Sequence, residues 1–183
     1  MSMPAALRRF TLDELDGFPE DGNRYELLDG VLLVTPQAGL THQTVAARLV
    51  KNLQDFLNDE PGIQVWTPGA VRIQPGTHLE PDILVGRMPS VARWEAVRDH
   101  WLAVEISGTG SRIYDREYKR DGYLGVGVAE VWIVDLGMEQ VFVSSPDSGK
   151  DIPHRSEFTW RSPGGRELRI DIPALFRNVP KEE

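Results

Sequence analysis

No cysteine occurs among the 183 residues. Disulfides and thiolate metal sites are therefore excluded, and any metal must be held by oxygen or imidazole ligands, which suits a hard cation such as magnesium. No apolar run approaches the roughly 20 residues of a membrane-spanning helix, and the N-terminal MSMPAALRRF lacks the apolar centre of a signal peptide. The expectation is a cytoplasmic protein with no membrane partner. Positive charge is scarce as well: 20 Lys and Arg stand against 28 Asp and Glu, a formal net charge of −8. That balance argues against a protein that coats nucleic acid by neutralising phosphates. It leaves room for an acidic metal site flanked by a local basic strip. Internal repeats and low-complexity linkers are also missing, so residues 1–183 read as one domain with its core at about 10–177.

The elements that are present alternate between strands and helices. Thr11-Leu12-Asp13-Glu14 fits a capping box that starts a short helix, stopped before Gly17 and Pro19. Arg24–Leu28 and Val31–Val34 flank Asp29-Gly30, a strong hairpin signal. Thr41 reads as the N-cap of a helix through about Asn58, because Val45, Leu49, Leu53 and Leu57 recur every four residues on one face. Short strands are expected at 63–66, 70–73, 82–85 and 101–106, then a helix over about 113–124 that ends at Gly125 and Gly127. Val131–Val134 and Val141–Val143 read as an antiparallel pair, 157–172 as one or two further strands, and Pro173–Phe176 as a last helical turn. The predicted fold is α/β, a mixed sheet flanked by helices with additional antiparallel hairpins.

One residue breaks the pattern. Glu105 lies inside the apolar run Trp101-Leu102-Ala103-Val104-Glu105-Ile106, where an unpaired carboxylate would lose several kcal/mol of solvation. Alternation along a strand puts Trp101, Ala103 and Glu105 on one face. Asp82 opens a second apolar strand, and if the two strands are neighbours both carboxylates can share one divalent cation, which would stabilise charge on a phosphoryl oxygen and lower the pKa of a water. Lys119 would orient that water or neutralise the charge that develops. A structural reading fits the same residues: Asp82 capping a turn after Pro81, Glu105 paired with a buried arginine, and Lys119 paired with Asp115. Arg112, Arg116 and Arg120 recur every four residues beside Lys119, as a phosphate-gripping stripe or as a solvated face balanced by Asp115, Glu117 and Asp121.

The order of these motifs resembles the PD-(D/E)XK nuclease superfamily. Arg24–Gly30, Thr41-His42-Gln43, Pro81–Val85, Val104–Ser107, Asp115–Lys119 and Glu130–Asp135 together resemble its Uma-type branch of bacterial restriction-endonuclease-like proteins. The superfamily lysine stands two residues after the glutamate; here Ser107 occupies that place, and Lys119 on the following helix is its counterpart. The resemblance implies a magnesium- or manganese-dependent DNA endonuclease, with Asp82, Glu105, Lys119 and Glu26 as catalytic residues. Its implied metal positions are Asp82, Glu105 and Ile106, and it places His42 near the site; Arg112, Arg116 and Arg120 are the substrate-facing candidates that the helical spacing supplies. It also implies DNA as partner and a homodimer for cutting both strands. An inactive interaction module of the same fold, or a phosphoesterase acting on RNA or nucleotides, remains open on the residues alone.

Overall fold

The computed structural model describes residues 8–35, 37–108 and 114–180, with the side chains of 114–116 outside that description. Along the chain run α1 (Leu12–Leu15), β1 (Arg24–Leu28), β2 (Val31–Thr35), α2 (Leu40–Leu57), β3 (Ile63–Trp66), β4 (Val71–Ile73), β5 (Thr77–Leu79), β6 (Ile83–Arg87) and β7 (His100–Ser107). A π-helical segment, Tyr114–Lys119, continues directly into α3 (Arg120–Gly125). Then come β8 (Glu130–Asp135), β9 (Gln140–Ser145), β10 (Gly149–His154), β11 (Glu157–Arg161), β12 (Glu167–Asp171) and α4 (Ile172–Phe176).

The strands form three sheets. The largest has the order β10-β9-β8-β7-β6-β3, a second runs β2-β1-β5-β4, and β11 pairs with β12. Only β7 and β8 run parallel among the described pairs. Parallel neighbours need a crossover connection, and here the crossover carries the π-helical segment and α3. Among the described residues no helix is long and apolar enough to cross a membrane.

The large sheet is buried on both faces, which is why β7 and β8 read as nearly continuous apolar runs. Leu102, Val104 and Ile106 face α2, packing with Leu49, Leu53, Trp132, Phe158 and Trp160. Ala103, Val131 and Ile133 face the second sheet and Tyr123 of α3, packing with Leu28, Val71 and Leu79. Each fully buried leucine contributes about 1.5–3 kcal/mol. Glu105 follows Ala103 by two residues, so it enters the second layer, between the two sheets and under the crossover.

Several expectations change in detail. The N-cap of α2 is Gly39, without a side-chain cap, and the Thr41 hydroxyl instead donates to the Pro180 carbonyl at 2.9 Å. Strands β3 and β4 join different sheets, and β5 and β10 are additional; both are short or polar, with little alternation to reveal them. Trp101 does not share the Glu105 face. The register between β6 and β7 shifts so that Val85 pairs with Leu102 and Gly86 with His100, and this bulge turns Trp101 toward the α2 layer. The hairpin at Asp29-Gly30 forms as its sequence predicts, with φ of 51° and 78°.

Gly69 approaches β6 so closely that an added Cβ would overlap Leu84, and its N–H donates to the Pro81 carbonyl at 3.1 Å. Gly69→Ala is therefore expected to destabilise the fold by about 1–3 kcal/mol through overpacking, read as a lower urea midpoint at unchanged slope. An unchanged midpoint would show that the 67–69 loop yields freely.

Candidate active site

Asp82 and Glu105 meet through strand register. Ile83 pairs with Val104 in the antiparallel β6–β7 ladder, so Asp82, one residue before β6, falls opposite Glu105. The Ile106 N–H donates to Asp82 Oδ2 at 2.8 Å, which fixes the first carboxylate against the strand that carries the second. Asp82 and Glu105 are 5% and 3% exposed. At that burial each requires partners, and the partners define the site.

Glu105 Oε1 accepts the Tyr123 hydroxyl at 2.6 Å and Lys119 Nζ at 3.3 Å. The same ammonium lies 2.6 Å from Glu26 Oε2, and Glu26 Oε1 accepts the Glu80 N–H at 2.7 Å. Lys119 is thus held between two buried carboxylates, one from each sheet. Burial first, and then the Glu105 and Glu26 charges, push the Tyr123 hydroxyl well above its ordinary pKa, so it stays protonated and donates to Glu105. The crossover explains the spacing. Its helix lies over the face of the strand it leaves, and Lys119 and Tyr123, four residues apart, both point down onto Glu105.

On the opposite side Asp82 Oδ2 also meets His42 Nε2 at 2.9 Å, and Asp82 Oδ1 accepts Arg24 Nη1 at 3.1 Å. Burial alone would raise the Asp82 carboxyl, but His42, Arg24 and the Ile106 N–H together hold it below its ordinary value of 3.8. Arg24 Nη1 also donates to the Glu80 carbonyl at 3.1 Å, while Arg24 Nε lies 3.7 Å from Glu80 Oε2. Glu80 Oε1 contacts His78 Nε2 at 2.9 Å. A chain of polar contacts therefore runs from His78 through Glu80, Arg24 and Asp82 to His42.

The structure brings together Asp82, Glu105, Lys119, Glu26 and His42. The backbone of Ile106 joins them, while its side chain packs in the α2 layer. Arg120 is buried and pairs with Asp151 of β10 and with Asp121 at 3.0 Å. The expected four-residue stripe presumes α-helical winding, whereas Tyr114–Lys119 winds as a π-helix with i→i+5 bonds. Arg112 and the side chain of Arg116 lie outside the described residues. Arg24, Glu80 and Tyr123 are participants that the sequence reading passed over. Signals for them exist: Arg24 shares a strand face with Glu26, Glu80 precedes Asp82 by two residues, and Tyr123 follows Lys119 by one helical turn.

Among the described residues no three acidic or imidazole groups already converge as a ligand set. The donor chemistry nevertheless fits a hard divalent cation. Asp82 and Glu105 sit across one ladder, the Ile106 carbonyl belongs to the strand of Glu105, and the chain has no cysteine. Guanidinium and ammonium groups supply the positive charge in contact with these carboxylates here.

Comparison with known proteins gives a family and a fold. Residues 12–172 match the Uma2 family, described as "Putative restriction endonuclease". A crystal structure of a "putative nuclease" from Anabaena variabilis ATCC 29413 superposes with a TM-score of 0.77 at 18% identity, over 91% of this chain and 97% of that one. At that identity the likeness shows a shared fold. No curated protein matches the chain.

The lowered Asp82 pKa has a defined sign. A carboxyl depressed on folding contributes stability above its ordinary value of 3.8 and loses that contribution as pH falls through the folded value. His42 is the strongest of the lowering influences, so in His42→Ala the part of the acid decline that Asp82 supplies should shrink: the urea midpoint should be lower near neutral pH and fall less as pH drops through 3.8 than in the wild type. Parallel pH profiles would show that His42 leaves Asp82 unaffected.

Proposed function

The chain belongs to the Uma2 family, and from that premise we propose that it is a divalent-metal-dependent endonuclease that hydrolyses phosphodiester bonds of DNA. The observation that carries the reading is the pair Asp82 and Glu105 across the β6–β7 ladder, with Lys119 held at Glu105 from the crossover helix. Asp82, Glu105 and the Ile106 carbonyl would hold the cation, with magnesium as the first candidate and manganese as the second. A cation there would stabilise charge on a phosphate oxygen and acidify the attacking water.

The remaining work falls to the protein's own groups. Glu26 holds the Lys119 ammonium beside Glu105, so a positive charge is aimed where phosphodiester attack gathers negative charge. Such a charge acts most strongly where water is excluded, and Lys119 is 2% exposed. Tyr123 fixes the orientation of the Glu105 carboxylate. His42 and the Ile106 N–H fix Asp82, so neither acid must reorganise far to serve as a ligand. DNA suits the role because the site recognises a phosphodiester, and two-strand cutting would call for a homodimer.

Incubation of supercoiled plasmid with magnesium or manganese tests the activity, and Asp82→Asn and Glu105→Gln should each lower cleavage by at least about a hundredfold, the scale of losing one preorganised electrostatic group. Lys119→Met should retain metal binding in calorimetry yet lower cleavage by a comparable factor. Absence of cleavage and of carboxylate-dependent metal binding in the wild type would favour a non-catalytic interaction module on the same fold.

A further inference from the structure

We propose that Arg24 is a displaceable latch on Asp82: without a cation it holds Oδ1, and when a divalent cation takes that oxygen its guanidinium turns to a substrate phosphate in the adjoining cleft. The proposal rests on the nuclease reading above. It starts from the unequal contacts of the two Asp82 oxygens. Oδ2 is held by Ile106 N–H at 2.8 Å and His42 Nε2 at 2.9 Å. The first donor is part of β7 and the second stands on the first turn of the eighteen-residue helix α2. The Ile106 N–H cannot retreat without disturbing β7, and the His42 side chain is 13% exposed, half as much as that of Arg24. Oδ1 meets Arg24 alone among the described residues, through Nη1 at 3.1 Å. That single contact falls short of the two-pronged grip by which arginine binds a carboxylate most tightly.

Oδ1 is therefore the oxygen a cation can take, and Arg24 is the group that must leave. Its position allows that. The Arg24 side chain is 26% exposed where Asp82 is 5%, and it borders a cleft of about 570 Å³ lined also by Asn23, Tyr25, Gln43, His78 and Glu80. Glu80 supplies the pivot: its carbonyl accepts Arg24 Nη1, and its carboxylate, steadied by His78, stands 3.7 Å from Arg24 Nε. A released guanidinium thus stays at the rim of the site. Released beside a phosphodiester, its planar donors match phosphate oxygens. Burial alone would lower the Arg24 pKa, but Asp82, Glu105 and Glu26 raise it, so the group is charged where it stands.

Calorimetry with manganese separates the outcomes. The competition between Arg24 and the cation is a coupling of ordinary size, so Arg24→Gln should bind manganese about tenfold more tightly than the wild type. A purely structural Arg24 would leave the affinity equal or weaker. For DNA cleavage the same change should raise KM more than it lowers kcat, and should make the salt dependence of kcat/KM shallower by about one unit. In the intact wild type, the arginine Nε–H resonance of Arg24, assigned with Arg24→Lys, should shift on manganese-equivalent additions of magnesium; this measurement stands even if Arg24→Gln folds poorly. Tighter binding by Arg24→Gln, or binding by that variant alone, supports the latch. Equal or weaker binding beside a wild type that does bind overturns it and leaves the nuclease reading intact. An Arg24 resonance that stays unmoved while calorimetry records magnesium binding also overturns it, and no metal binding by any of the chains overturns both.

Discussion

Two carboxylates buried around one ammonium set the terms for the rest of this structure. Glu26 and Glu105 come from different sheets and are 0% and 3% exposed, and Lys119 between them is 2% exposed. Removing one member of such a group leaves uncompensated charge in a low-dielectric layer, at a cost of about 3–5 kcal/mol. The hairpin sheet, the large sheet and the crossover helix are consequently tied at one point. Apolar packing fills the layer around that point with Leu28, Val71, Ala103, Val131 and Ile133. The charges specify how the two sheets and the helix face one another, and the apolar contacts supply the larger share of stability.

The parallel step from β7 to β8 explains how a lysine fourteen residues after Glu105 reaches it. A lysine two residues further along the same strand would share its face, and Ser107, buried opposite Asp135, occupies that place. The chain must travel over the sheet to enter β8 in parallel, so the crossover passes above Glu105 in any case. The π-helical winding of Tyr114–Lys119 gives way to α-helical winding from Arg120; Lys119 and Tyr123 both reach Glu105, and Arg120 pairs with Asp151. Wide turns of this kind are frequent at functional sites because they reset which side chains share a helix face.

Much of this was legible in the residues. The isolated acid in the Trp101–Ile106 run signalled a buried charge needing partners, and hydrophobic periodicity located α2, whose buried positions include the Val45, Leu49, Leu53 and Leu57 stripe. The Asp29-Gly30 turn and the Thr11 capping box are local chemistry, and both form as read. The resemblance placed Glu26, Asp82, Glu105 and Lys119 in one group, and the structure brings their side chains into one polar network. What escaped depends on tertiary geometry. The three-residue strand β5 and the polar β10 carry too little pattern, and the bulge that turns Trp101 follows from pairing with β6. The partners of Arg120, Asp151 on β10 and Asp121, likewise follow from tertiary geometry that spacing alone does not carry.

The cluster's two cations differ in a way that bears on how such a site can be stable yet responsive. Lys119 is enclosed by Glu26 and Glu105, and its departure would take from both acids the ammonium they share in a dry layer. Arg24 sits at the rim, 26% exposed, and holds Asp82 by the single Oδ1 contact, while Oδ2 keeps the Ile106 N–H and His42. Folding is thus anchored by the inner cation, while the outer one can be exchanged at small cost. A site that must accept a metal ion and a polyanion needs that division: if both cations were buried, cation entry would have to unfold the layer first, and if both were exposed, Glu105 could not have been buried at all. The location of Arg24 and Glu26 two residues apart on β1 achieves it with one strand, whose inward face begins at the solvent rim and ends inside the closed layer.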